Sequence, residues 1–346
     1  MMDKIKTIRY MGTKAPLLEY IIPCIESVTP ENGIVFDIMA GSNAVSYALK
    51  KHFTVYTNDV QEYSFIISNA LITNQTETIS KDSAIELQCD YKENLLNKYY
   101  CFFEQTYSET YFSQKQCCDI DSLRYAIEKI DSPERKSLYL LALMSAMCKV
   151  QSTPGHFAQF MPSTHYRIIP LQKMDLYQEF LTKCDNYSHL VFSDKNNKSF
   201  CNDYKVLLKE CDDIKQVDTI YLDSPYSQEQ YSRFYHVLET VVKYDLPKVD
   251  FKAKYRNDRF RSSFCYKNKV KEAFEEIITF CKENDINLVI SYSNKALLSV
   301  DDLLNLCKNY FHSVSIQYID YKHSTQGKGS NTLKEILITC SNNIQV

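Results

Sequence analysis

Four consecutive residues, Asp223-Ser224-Pro225-Tyr226, place an acid, a rigid turn and a flat ring directly after a short apolar run, Thr219 to Leu222. A carboxylate accepts hydrogen bonds. Pro225 stiffens the turn and, having no N–H, leaves neighbouring backbone carbonyls free to face a ligand. Tyr226 offers a stacking face. The set suits a planar group with an exocyclic amine, such as an adenine. An ordinary strand end followed by a proline turn reads the same way locally, so the motif gains meaning only from its neighbours. An open α/β sheet places its chemistry at the carboxyl ends of its strands. That requires 219–222 to be a strand and a helix to follow. Phe234, Val237, Leu238, Val241 and Val242 recur at helical spacing from about Ser232 onward.

A second constellation lies upstream. Ile34 to Ile38 predicts a buried strand, Ala40 to Asn43 a tight turn, and Ala44 to Lys51 a helix. Free N–H groups at such a turn can cradle a nucleotide. The fingerprint is thin, because Gly41 stands alone and Asn43 takes the place of a second glycine. Asn tolerates a left-handed backbone better than most residues. The next strand, Thr54 to Asp59, ends in an acid 22 residues after Asp37. An acid at this spacing typically binds ribose hydroxyls. A helix-capping aspartate is the alternative, and the two motifs together favour nucleoside binding. Earlier still, Gly12 is flanked by Tyr10 and Lys14, both able to reach a ligand. The amphipathic helix that follows carries Leu17, Leu18, Ile21, Ile22 and Ile25, with Pro16 in its first turn and Pro23 as a point where it can kink.

These motifs sit in a chain of 346 residues, 45% hydrophobic and 24% charged, with a net charge of −3. That is the composition of a globular protein, one large domain or one domain with an insertion. No apolar run approaches a membrane span, and the N-terminus lacks the apolar core of a secretory signal. A cytoplasmic location without membrane attachment is expected. The thirteen cysteines are scattered, with no zinc spacing, and read as reduced, apolar packing residues. No metal site is expected.

Charge is unevenly placed. Lys248 to Lys271 contains nine Lys/Arg against two acids, interleaved with Phe251, Tyr255, Phe260, Phe264 and Tyr266. Cations that neutralise phosphates beside rings that stack describe a nucleic-acid contact. Lys252, Lys254, Arg256, Arg259, Arg261 and Lys267 are its candidate contacts, and Lys328 lies in a second basic loop, 321–334. Between 76 and 194 the strand–helix alternation is lost. A helix is predicted from Ser132-Pro133 through Lys149. Residues 151–170 form a long polar loop in which His156, Gln159, His165 and Arg167 can read base edges. Alternation resumes with strands at 188–193 and 199–204, then at 287–292. The chain closes on a hairpin, 313–320 with 335–340.

In order, RYMGTK, FDIMAGSNAV, TND, FCNDY, DSPY and GKGSNTLKEILI resemble the motifs of the Dam-like, or D12, class of N6-adenine DNA methyltransferases across nearly the whole chain. Any one motif is weak, and the ordered set is specific. The resemblance implies a Rossmann-like, class I methyltransferase fold: a mostly parallel seven-stranded sheet with an antiparallel last strand. Residues 1–75 and 195–346 would form the catalytic domain and 76–194 an inserted, largely helical target-recognition domain. It implies S-adenosylmethionine as cofactor, held by Tyr10, Lys14, Phe36, Asp37, Ala40, Gly41, Ser42, Asn43, Asp59, Asp203 and Tyr204. Asp223, Ser224, Pro225 and Tyr226 would be catalytic, with double-stranded DNA as substrate and a cognate restriction endonuclease as a candidate partner. The sequence departs from the family pattern at Ser224, which replaces the first proline of DPPY, and at Asn43.

Three other readings share parts of this pattern. A DNA-binding protein on a catalytically decayed scaffold fits the two departures, and RNA adenine methylation fits the same pocket chemistry. Cytosine C5 methylation needs a cysteine nucleophile. Pro23-Cys24 is the expected dipeptide for that reaction, but it lies in the first amphipathic helix and reads as packing.

Overall fold

The computed structural model describes residues 7–320 and 334–342. Its centre is a seven-stranded sheet made of β1 (Ile34–Asp37), β2 (Thr54–Asn58), β3 (Lys198–Phe200), β4 (Thr219–Asp223), β7 (Asn287–Ser293), β8 (Ser313–Asp320) and β9 (Lys334–Ser341). A separate two-stranded ribbon consists of β5 (Val249–Asp250) and β6 (Tyr255–Arg256). The sheet order is β3-β2-β1-β4-β7-β9-β8. Strands β3 through β7 of that order run parallel, and β9 is antiparallel to both β7 and β8. This is the sheet the resemblance implies.

Side chains alternate across the strands with period two. Val35, Val55, Tyr221 and Val289 enter one hydrophobic cluster. Phe36, Ile220, Leu222, Leu288 and Ile290 enter the other. Because both faces are covered, β4 and β7 read as continuous apolar runs. Each fully buried Leu, Ile or Val contributes about 1.5–3 kcal/mol. Burial on two faces therefore outweighs the weak strand propensity of any single residue here.

The first face is packed by the helices Leu18–Glu26, Glu62–Ser68, Pro133–Val150 and His236–Lys243. Leu18–Glu26 continues through Pro23, so the expected kink point lies inside a helix. Pro133–Val150 begins as its sequence predicts, with the Ser132 hydroxyl accepting from Arg135 N–H at 3.2 Å. The second face is packed by Tyr204–Glu210, Val270–Glu283 and Val300–Tyr310.

Residues 76–194 are helical and contribute no strand to the sheet. They add Gln88–Asn97, Phe102–Tyr107, Gln114–Glu128, Ile169–Gln172 and Leu176–Asp185 to the Pro133–Val150 helix. Their buried side chains belong to the same cluster that covers the first sheet face. Arg124 donates from Nε to the Val241 carbonyl at 2.9 Å and from Nη2 to that of Val242 at 3.2 Å. These bonds satisfy carbonyls near the end of His236–Lys243, the helix downstream of the Asp223 turn.

The strand expected at 188–193 does not form. The sheet edge beside β2 is taken by Lys198–Phe200. Asn197 fixes that edge by accepting Val55 N–H at 2.8 Å and donating to the Ile72 carbonyl at 3.0 Å. All thirteen cysteines are free thiols, and no helix among the described residues is long and apolar enough to cross a membrane.

Candidate active site

A cavity of about 420 Å³ is lined by residues that follow β1, β2 and β4 together with the N-terminal loop. Tyr10, Lys14, Asp37, Ala40, Gly41, Ser42, Asp59, Asp203, Tyr204 and Asp223 to Tyr226 all line it. Residues from five separate sequence motifs thus meet in one space.

The N-terminal loop is fixed to the helices after Asp223. The Tyr10 ring stacks on Tyr235 at 4.8 Å and on Tyr231 at 5.6 Å, and Met11 N–H donates to Tyr235 Oη at 2.6 Å. Gly12 turns the chain at φ +77°. A Cβ there would lie 3.0 Å from Tyr231 Oη, so both the angle and the space call for glycine. The turn aims Lys14 inward. Its ammonium donates to the Gly12 carbonyl at 3.1 Å, sits 3.0 Å from Asp223 Oδ1 and lies 4.9 Å from the centre of the Tyr226 ring.

Asp223 ends β4 with its carboxylate between two donors, because Tyr226 Oη also donates to Oδ1 at 2.9 Å. The same hydroxyl lies 3.2 Å from Oε2 of Glu335, which is buried at the start of β9. Glu335 Oε1 is 4.0 Å from the Lys14 ammonium. Burial raises the Asp223 carboxyl above the usual range, and Lys14 opposes that rise. Burial also raises Glu335 to about 7, again opposed by Lys14 and reinforced by Asp223. Motif reading missed Glu335. It lies within GKGSNTLKEILI without being singled out there, as the acid that opens an otherwise apolar last strand.

Two further acids that line the cavity are also raised. Asp37 is pushed up to about 7 by burial, while a hydrogen bond from Ser46 Oγ at 2.5 Å restrains the rise. Its Oδ1 is buried and has no hydrogen-bond partner. Asp59, raised to about 6 by burial, accepts Gly41 N–H at 3.0 Å and Gln61 N–H at 2.9 Å. It therefore holds the β1 turn and starts the following helix, while still lining the cavity. Asp203 caps Tyr204–Glu210 by accepting Lys205 N–H at 3.0 Å. The Tyr204 hydroxyl donates to Glu276 at 2.8 Å.

Two predicted cofactor contacts do not face the cavity. Phe36 points to the opposite face of β1, where it is fully buried and packs edge-on against Phe200. Asn43 does adopt the left-handed backbone, at φ 59°. Its amide, however, turns inward, donating to the Ser64 carbonyl at 3.2 Å and accepting from Ser68 at 2.7 Å. It keeps the turn in shape without reaching a ligand. Ser224 is buried and its hydroxyl makes no hydrogen bond. Cys24 lies outside the cavity, against Gln317 of β8 at 3.6 Å, and takes no part in the site.

The basic segment divides sharply. Lys252, Arg261 and Lys267 are exposed and Lys254 is half-buried. Arg256 is buried and its guanidinium is consumed by Asp245, at 2.6 Å through both terminal nitrogens, and by Asp258 at 2.8 and 3.1 Å. It is therefore a structural clamp, not a free phosphate contact. Arg259 is held over the Tyr255 ring at 4.7 Å and donates to the Arg256 carbonyl at 2.6 Å. Tyr255 and Phe264 are core residues, not exposed stacking faces. Lys328 lies outside the described residues. In the 151–170 loop, Gln159 and Arg167 are exposed and His165 is half-buried. His156 packs against Phe234 at 4.8 Å.

Residues 10–306 match the family model described as D12 class N6 adenine-specific DNA methyltransferase. The chain is 29% identical to the modification methylase StsI of Streptococcus sanguinis, over 95% of this chain and 50% of that one. It is 26% identical to the modification methylase LlaI of Lactococcus lactis subsp. lactis, over 97% and 55%. It is 25% identical to the type II methyltransferase M.NlaIII of Neisseria lactamica, over 90% and 92%. The chain thus spans about half the length of the first two relatives and most of the third.

Proposed function

The chain belongs to the D12 class of N6 adenine-specific DNA methyltransferases, and from that membership we propose that it methylates N6 of an adenine in duplex DNA. S-adenosylmethionine is the proposed methyl donor. The enzyme would be the modification half of a restriction-modification system, with a cognate endonuclease as partner and residues 76–194 contributing recognition of the site. The observation that carries this reading is the meeting of Asp223, Tyr226 and Lys14 in one cavity that Asp37 and Asp59 also line.

The residues present fit the cofactor. Asp37 presents a buried, unpartnered carboxylate oxygen. Asp59 retains lone pairs beyond the two backbone N–H groups it accepts, since a carboxylate has about four acceptor sites. Acids that face a cavity suit ribose hydroxyls and a cationic sulfur. When bound, S-adenosylmethionine supplies a methyl group activated on that positively charged sulfur.

The work of the chain is to bring the amine to that methyl group and shape its electrons. The adenine must leave the duplex, at a cost of a few kcal/mol. Stacking on Tyr226 returns about 1–3 kcal/mol. Asp223 and the Ser224 carbonyl accept the two amine hydrogens, drawing the nitrogen lone pair out of ring conjugation. The Lys14 ammonium, which donates to Asp223 without substrate, yields its position to the amine, with Glu335 close by as an alternative partner. Orientation of this kind removes entropy from the barrier. Neither departure from the family pattern removes a part that this chemistry uses. Ser224 retains its backbone carbonyl, and Asn43 retains the left-handed turn.

The test is methyl transfer from labelled S-adenosylmethionine to unmethylated genomic DNA, with matched RNA beside it. Wild type is expected to label N6-methyladenine in DNA. Asp223→Ala is expected to abolish transfer while retaining cofactor binding. Equal turnover by the two proteins would remove Asp223 from the chemistry, and labelling of RNA alone would replace the substrate.

A further inference from the structure

The ribbon β5–β6 and the segment leading into it are built against backbone preference. Of nine non-glycine residues with positive φ among those described, four lie between 244 and 254: Tyr244, Leu246, Phe251 and Lys254. Left-handed backbone favours glycine and asparagine, and this stretch contains neither. The strained segment also exposes apolar surface. Phe251 is 78% exposed and Leu246 61%. Lys248 and Lys252 flank Phe251 in sequence and are exposed, and Asp250 is the one acid beside them.

This exposed tip is not loose. Arg256 joins Asp245, before the ribbon, to Asp258, after it. Asn257 N–H donates to the Lys248 carbonyl at 3.1 Å and closes the base of the ribbon. Behind the tip, Tyr111 donates to the Ala253 carbonyl at 2.7 Å and Tyr107 to that of Lys254 at 3.4 Å. Tyr255 donates to the Ala158 carbonyl. The ribbon also continues directly into the active-site wall. Phe260 and Ser262 line the cavity, and they are tied to Ser232 and Gln230 at 2.7 and 2.8 Å.

We propose that Phe251 is a wedge that enters the DNA base stack as the target adenine leaves it, with Lys248 and Lys252 on the adjoining phosphates. The proposal rests on the reading of duplex DNA as substrate. Apolar side chains between base steps unstack and kink DNA, and extrusion of a base is easier from a disturbed stack. A wedge must resist being pushed back. Strained backbone persists only where surrounding structure enforces it, and here the Arg256 clamp and three buried tyrosine hydroxyls do so. Phe251 is backed by Tyr255, whose ring meets it edge-on at 6.3 Å.

The chain contains no tryptophan, so Phe251→Trp creates a single fluorescent reporter at the tip. Tyr20→Trp, at a position 37% exposed on the Leu18–Glu26 helix and outside 76–194, serves as control. Each is titrated with sheared unmethylated duplex DNA, and filter binding reports complex formation. The expected result is quenching of the residue 251 reporter and its protection from acrylamide in the complex, with neither effect at residue 20. Phe251→Ala should lower single-turnover methyl transfer by roughly tenfold or more, with thermal midpoint and cofactor affinity unchanged. If DNA is retained but the residue 251 reporter stays open to acrylamide and Phe251→Ala transfers at the wild-type rate, the wedge is overturned and the functional reading stands. Failure of the wild-type protein to retain DNA overturns both.

Discussion

Lys14 bears directly on the charge of Asp223, the proposed catalytic carboxylate. Its ammonium, 3.0 Å from the carboxylate, is the principal influence opposing the upward pull of burial on that acid. In the proposed reaction Asp223 accepts a hydrogen bond from one amine N–H, beside the Ser224 carbonyl that takes the other, and the ionised carboxylate is the stronger acceptor. Lys14→Met removes the opposing charge, so the Asp223 pKa moves further up. The acid limb of the single-turnover pH profile should then move to higher pH, with a lower rate at neutrality. A profile of unchanged shape between pH 5.5 and 8.5 would show that Lys14 acts elsewhere. Asp223, Tyr226, Gly41 and Asp59 were legible in the sequence because each belongs to a short motif of defined spacing. The pairing of Lys14 with Asp223 was not, since Lys14 reads equally well as a cofactor contact. Glu335 was invisible for a different reason: the residue it meets, Tyr226, is 109 positions away. Phe36 and Asn43 show the complementary failure. A motif gives position, but strand pleat and turn geometry decide which side faces the ligand.

At the scale of elements, the Arg256 clamp sets the geometry of the ribbon. Asp245 and Asp258 are about half exposed and can be rehydrated if the guanidinium is lost. Arg256→Ala is therefore expected to cost about 1–3 kcal/mol, short of the cost of leaving a fully buried charge unpaired. Urea denaturation gives the global loss. Hydrogen exchange should show it concentrated between 245 and 258. Arg256→Lys should recover little, because an ammonium cannot reproduce two forked contacts. Uniform loosening of the whole chain would argue against a local clamp. Counting charges marked this segment correctly as cationic, but a count cannot separate a saturated cation from a free one. Similarly, 188–193 carries a strand-like pattern, yet the place beside β2 is taken by Lys198–Phe200. The helix at 133–150 was legible because Ser132 and Pro133 encode its start locally.

Over the whole molecule, the cavity gathers acids whose pKa values burial has raised: Asp37 and Glu335 to about 7 and Asp59 to about 6. A group with a folded pKa above its unfolded value stabilises fully below the unfolded value and loses that contribution as pH rises through the folded one. These three acids should therefore weaken the free protein between about pH 4 and 7. A cationic ligand favours their ionised forms, so its binding should release protons and strengthen over the same interval. The thermal shift produced by saturating S-adenosylmethionine should be larger at pH 7.5 than at pH 5.5. Titration calorimetry near pH 6.5 in two buffers of different ionisation enthalpy should detect the proton release. Equal shifts at both pH values, without proton release, would place the charges elsewhere.

The shared hydrophobic cluster has a bearing on how such a protein can be re-engineered. The side chains of 76–194 do not close on themselves. Leu141, Met144 and Tyr187 are buried in one cluster with Ile67, Leu71 and Val237, which lie outside that segment. A segment of this kind cannot be exchanged as a cassette, because lifting it out strips the first face of the sheet and the graft inherits a mismatched surface. On the proposal that 76–194 reads the site, new sequence preference is better sought in exposed positions such as Gln159 and Arg167, which can vary without reopening the core.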